Sequence, residues 1–149
     1  MVREGGDRLE MEETFRRTPE ASLKDVFLSA SAGLDDKRAE VVAEALAWLQ
    51  RGFDSHYASD ATDDDILIGD NAYAQAVETI ARLDEPRFVG VASRMIRDGA
   101  GLIAAGEGVT LELWTPHLAG LLDIISGEGP ERSEARIREA AQEAWRGDG

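Results

Sequence analysis

The stretch DDKRAEVVAEALAWLQRGF, residues 35–53, decides the class of fold. Val42, Leu46, Leu49 and Phe53 recur in it at spacings of 4, 3 and 4. That interval stacks side chains along one face of an α-helix, whereas a half-buried strand would alternate. Asp35 or Asp36, just ahead of the periodic residues, supplies a side-chain oxygen for the helix N-cap. Asp36, Glu40 and Glu44 form an acidic column on another face. Like charges at i, i+4 cost a few tenths of a kcal/mol per pair in dilute buffer. The column reads as a solvated face rather than a cation-binding stripe.

Helical periodicity continues in both directions from this segment. Residues 1–6 are polar and glycine-containing and are expected to be flexible, with a short amphipathic helix over 7–17. Thr18-Pro19-Glu20 has the pattern of N-cap, N1 and N2 for a helix that carries Leu23, Val26, Phe27 and Ala30 and ends at Gly33. Beyond the central segment, the small and acidic residues DSHYASDATDDD, 54–65, read as a loop. A helix from Asp65 to Leu83 is expected to bury Ile66, Tyr73, Val77 and Ile80. Asp84-Glu85-Pro86 then opens another helix, bearing Phe88, Ala92, Met95, Ile96, Leu102 and Ile103. Gly99 and Gly101 interrupt it at about 1 kcal/mol each relative to alanine, which implies a kink or the very close approach of another backbone.

Gly106-Glu107-Gly108 breaks the chain again. Val109 to Trp114 alternates weakly, as a short strand would, but a helix to Ile125 fits better, with a restart at Thr115-Pro116 and a buried face of Leu118, Leu121, Leu122 and Ile125. GEGPERS, 127–133, reads as a linker whose Ser133 caps a last helix through Trp145, with Ile137, Ala141 and Ala144 on its apolar edge. The expected architecture is all-α: a single-domain bundle of six or seven helices, with a flexible N-terminus at 1–6, the bundle over 7–127, and a linker and C-terminal helix over 128–149.

Composition narrows the function classes. The chain has 149 residues, 30 acidic against 16 basic side chains, a net charge of −14 and no cysteine, so it has no disulfide, thiolate metal site or cysteine nucleophile. Hydrophobic residues make up 43 % of it, enough for a core. Its start, MVREGGDRLEMEETF, lacks a cationic region followed by an apolar one, and no apolar run approaches a membrane span, so a soluble, cytoplasmic protein with no membrane partner is expected. Lysine occurs only at Lys24 and Lys37. A GC-rich genome would account for such a composition, but a salt-in halophilic cytoplasm is the reading preferred, because in molar salt the screening length falls to about 3 Å and a large negative charge repels itself little. Either way a nucleic-acid partner is not expected, because no basic stripe is present to displace counterions.

The candidate chemistry is sparse. His56 lies among Asp54, Asp60 and Asp63 to Asp65, but one histidine without calcium-loop spacing reads as part of a solvated acidic loop that caps the next helix. His117 follows Pro116 near Glu112, with nothing else to complete a general base. No serine elbow, phosphate-cradling loop or HExxH motif occurs, and the glycines at 99, 101, 106 and 108 do not match a dinucleotide fingerprint. Trp48, Trp114 and Trp145 read as core or interface aromatics. Accordingly no catalytic, cofactor-binding or metal residue is assigned.

ILIGDNAYAQA, residues 66–76, resembles the ILxGDxLxAxA helix of the trans-isoprenyl diphosphate synthases, the polyprenyl synthetase family. The family's acidic-Pro break and next helix have counterparts in Asp84-Glu85-Pro86-Arg87 and the helix to Ala105; Gly106-Glu107 is similar to its GE helix end, and Leu113 to Gly127 parallels the helix after that. The resemblance covers residues of about 60–127. Family activity would require two DDxxD-type motifs holding Mg²⁺ on a diphosphate. Here Ile68 stands three residues after Asp65, no Arg-Arg-Gly follows, and Asp123 stands alone among apolar residues. The resemblance therefore implies a cut-down, non-catalytic relative, of the kind that pairs with a catalytic subunit.

Together these readings lead to a non-enzymatic helical module that forms a homo-oligomer or binds a protein partner through an apolar face around Trp114, Leu118 and Leu121. The alternative is a small Mg²⁺-dependent isoprenoid or diphosphate binder using Asp63 to Asp70. A weaker third reading, a DNA-linked regulator, would use Arg16-Arg17.

Overall fold

The computed structural model describes residues 22–57, 62–107 and 110–147. Six helices and no strand occur among them: α1 (Leu23–Ala30), α2 (Arg38–Tyr57), α3 (Asp63–Ile80), α4 (Pro86–Ala104), α5 (Leu111–Ser126) and α6 (Pro130–Gly147). Residues 1–20, Asp60 and the Trp145 side chain lie outside the described residues, but the helix that Thr18-Pro19-Glu20 was expected to open starts only at Leu23, behind Ser22 in extended backbone as its N-cap.

The seam that decided the fold is buried along its whole length: Val42, Leu46, Leu49 and Phe53. It makes α2 the central helix, packed against α1, α3, α4 and α5. Asp36 is the carboxylate at its start, accepting the Arg38 N–H at 2.9 Å. Helices α2 and α3 run antiparallel, since His56 meets Ile66, Gly52 meets Gly69 and Glu44 pairs with Arg82. Helices α5 and α6 do the same, with Glu112 bonded to Arg138 and Asp123 bonded to Gly129. Ile137, Ala140 and Ala141 of α6 join the same apolar cluster as α1 and α5.

Local chemistry sets the ends of the elements. Ser22 caps α1 by accepting the Asp25 N–H at 3.1 Å, and Gly33, at φ +92°, lets the chain turn away after it. Thr62 and Asp65 form a reciprocal capping box on α3, each side chain accepting the other's backbone N–H. Pro86 occupies the first position of α4 behind Glu85, whose carboxyl the Arg87 side chain and amide hold down at about 2. Thr110 caps α5, and Gly127 closes it in the left-handed conformation at φ +68°.

Several expectations are corrected. The 54–65 segment is not one loop: α2 runs on to Tyr57 and α3 begins at Asp63, because the Thr62 capping box sets the start earlier than the apolar pattern does. Ile66 is not buried. It keeps the phase of the seam that continues through Gly69, Tyr73, Ala76 and Ile80, but burial along α3 begins only at Gly69. Gly99 and Gly101 do not end α4. What approaches Gly99 is a pair of rings rather than a backbone: a Cβ there would lie 2.5 Å from Phe53 and 2.8 Å from Trp114. Pro116 sits inside a continuous α5 rather than starting a new helix. Ser133 is not a cap. Helix α6 starts at Pro130, leaving Ser133 fully buried with no hydrogen-bond partner for its hydroxyl among the described residues.

Adding a methyl at Gly52 or Gly69 meets a ring and, at 3.1 Å, the facing carbonyl, so Gly52→Ala and Gly69→Ala should each destabilise by about 1–3 kcal/mol. Gly101→Ala, with nothing within 4 Å, should stabilise by about 0.5–1 kcal/mol in the same urea titration. Replacing a buried, unpaired hydroxyl by hydrogen should also help: Ser133→Ala is expected to gain about 1 kcal/mol, and a loss in the titration would refute the unpaired state.

Candidate functional site

Two histidines were singled out by sequence, and the structure gives each a partner that local sequence does not reveal. His56, in the last turn of α2, lies across Gly69 of α3, which has no side chain to displace it. Its Nε2 is 3.0 Å from the Ile66 carbonyl and 3.3 Å from Asp70, and its Nδ1 is 3.2 Å from the Tyr73 hydroxyl. Burial, reinforced by the Asp70 carboxylate, pushes the Tyr73 hydroxyl above the ordinary phenol range. Tyr73 therefore stays protonated, and its hydroxyl and the Ile66 carbonyl hold the His56 ring from its two nitrogens, Nδ1 and Nε2. Both ring nitrogens are engaged in tying α2 to the head of α3, which is a structural duty.

His117 on α5 bonds Asp98 of α4, Nε2 to Oδ2, at 3.0 Å. Glu112, the neighbour suggested by sequence, instead forms a two-pronged pair with Arg138, which lowers the Glu112 pKa. Asp98 and His117 are 19 residues apart on different helices, so only the packing of α4 on α5 brings them together. An aromatic row joins the two histidines through the core. His56 meets Tyr73 edge-on at 5.0 Å, Tyr73 meets Phe53 at 5.4 Å, Phe53 stacks on Trp114 at 4.8 Å, and Trp114 lies 6.0 Å from His117. Among the described residues no three His, Asp or Glu side chains converge as a metal ion would need.

The face around Trp114, Leu118 and Leu121 is not a surface at all, since all three side chains are fully buried. Among the described residues the large hydrophobic side chains left exposed are at the head of α3: Ile66 is 45 % exposed, Leu67 65 % and Ile68 53 %. Three consecutive aliphatic residues spread over about 200° of a helix's circumference, so one neighbouring helix cannot bury them all. Asp63 and Asp64 precede them on exposed positions, Asp65 is engaged in the capping box, and Asp70 follows, also exposed and beside His56. The surrounding sequence, residues 52–81, contains seven carboxylates and no lysine or arginine. Sequence reasoning missed this patch because it assigned Ile66 to the core by phase alone. The signal available was the run Ile66-Leu67-Ile68, which no single amphipathic face accommodates.

In comparison with known proteins, no family model, curated protein or solved structure matches the chain. Among the described residues no helix is long and apolar enough to cross a membrane.

The Tyr73 environment makes a pH prediction. A tyrosine whose folded pKa is raised contributes stability that is present below the unfolded value of about 10 and is lost as pH rises through and beyond it. Thermal melts from about pH 8 to 11 should therefore show a steep alkaline loss that is shallower in Tyr73→Phe. At neutral pH that variant should lose about 1 kcal/mol with the hydrogen bond to His56.

Proposed function

We propose that the chain is a non-catalytic all-α interaction module, a subunit that works by contact with another copy or another protein through the head of α3. The exposed run Ile66-Leu67-Ile68 carries this reading. Leaving three large aliphatic side chains in water forfeits on the order of 1 kcal/mol or more each, a cost that a binding surface explains. The engagement of His56 within the fold and the burial of the aromatic row support the same reading, because neither leaves a reactive group waiting for substrate.

The acidic, lysine-poor surface suits a salt-rich cytoplasm, where carboxylates hold water and cations and self-repulsion is screened. The polyprenyl synthetase-like segment fits a subunit that has kept a helical frame without the metal-binding motifs, and residues 66–76 of that segment include the exposed run.

The absence of cysteine from the chain makes the test direct. Leu67→Cys, carrying a photo-crosslinking maleimide, should give a discrete adduct with a second copy or with one other protein in the native cytoplasm. Glu139→Cys on the exposed face of α6 should give none. Equal labelling from the two positions would refute the reading. A Mg²⁺-dependent thermal shift with a prenyl diphosphate, abolished by Asp64→Asn, would instead favour the diphosphate-binding alternative.

A further inference from the structure

We infer that the head of α3 receives a cationic amphipathic segment of another protein, one that lays aliphatic side chains on Ile66, Leu67 and Ile68 and sets Arg or Lys against Asp63, Asp64 and Asp70. The inference rests on the interaction-module reading and names the chemistry of the partner.

Charge complementarity selects it. The three aliphatic residues are bracketed by Asp63, Asp64 and Asp70, all exposed, within a 30-residue interval (52–81) that contains no lysine or arginine. The positive end of the α3 dipole offsets only about half a unit of that negative charge. Area argues the same way. Three side chains supply on the order of a few hundred Å² of apolar surface, well below the roughly 800 Å² that each partner buries in a stable protein–protein interface. The aliphatic contact therefore needs a rim that also attracts. A second copy docking head to head would oppose carboxylates to carboxylates, whereas a basic segment turns the same rim into contact ion pairs. In molar salt the screening length of about 3 Å still leaves such contact pairs a share, so the aliphatic residues supply most of the affinity and the carboxylates supply orientation and choice of partner.

The test uses three fluorescein-labelled synthetic helices: one with leucine at i, i+3, i+4 and i+7 and arginine on its flanks, one with glutamate in place of arginine, and one with alanine in place of leucine. Each is titrated by anisotropy with the full chain at the lowest KCl concentration that preserves its helical circular dichroism. The Leu/Arg probe should bind at least tenfold tighter than either control. Leu67→Ser/Ile68→Ser, which alters only exposed side chains, should weaken it by about tenfold with the helical signal unchanged. Asp63→Asn/Asp64→Asn should erase the preference for arginine over glutamate, while Glu139→Gln/Glu143→Gln, an equal loss of charge on α6, should leave it intact. The inference is overturned if the two charge variants weaken binding equally, if the serine variant binds as well as the parent, or if the Leu/Glu probe binds as tightly as the Leu/Arg probe. Sedimentation of the chain alone separates the two levels of the argument. Self-association abolished by Leu67→Ser/Ile68→Ser, without probe binding, overturns the basic partner and keeps the interaction module; neither self-association nor probe binding overturns both.

Discussion

The close passage of α2 over α3 at Gly52 and Gly69 is the constraint on which the exposed surface depends. Each glycine's carbonyl oxygen lies 3.1 Å from the place where the other's Cβ would stand, so the two backbones approach as only a pair of small residues allows. The space where side chains would be is used twice. The Tyr73 ring covers Gly52, and the His56 ring covers Gly69. His56 is thereby brought to the Ile66 carbonyl, and the first turns of α3 are fixed to the last turn of α2. Ile66, Leu67 and Ile68 are held outward by the same arrangement that anchors their backbone.

Aromatic packing carries that constraint across the molecule. Phe53, one residue beyond Gly52, lies against Tyr73 on one side and stacks on Trp114 on the other. Trp114 and Phe53 both press on the open face of Gly99, so α4 comes as close to the row as α3 does. Polar ties complete the frame at its edges: His117 to Asp98 between α4 and α5, Glu112 to Arg138 between α5 and α6, and the Leu23 amide to Gln50 between α1 and α2 at 2.7 Å. The ion pairs are mostly exposed and each contributes little on its own. Stability is concentrated in the apolar seams.

Much of the fold was legible in the residues. The 4, 3, 4 spacing of Val42, Leu46, Leu49 and Phe53 identified the central helix because periodicity reports directly which face is dry. Pro86 marked a helix start by stereochemistry alone. Legibility failed where the deciding partner is distant in sequence. Ile66 obeys the phase of its seam yet is exposed, because phase states a direction and not whether a neighbour extends that far. Ser133 looked like a cap because serine often is one, but Gly129 and Pro130 had already begun the helix. The Trp114–Leu118–Leu121 face looked equally suited to a core or an interface, and packing of α5 into the cluster made it core.

By itself the sequence determined the secondary structure class, the central seam and the strongly acidic exterior, because each of these is set by residues near one another in the chain or by their sum. Tertiary structure alone decided which apolar residues stay in water, which carboxylates meet His56 and His117, and that both histidines end on one aromatic row. Those outcomes depend on how closely two helices approach, and that distance is set by glycines and rings that meet only after the chain has folded.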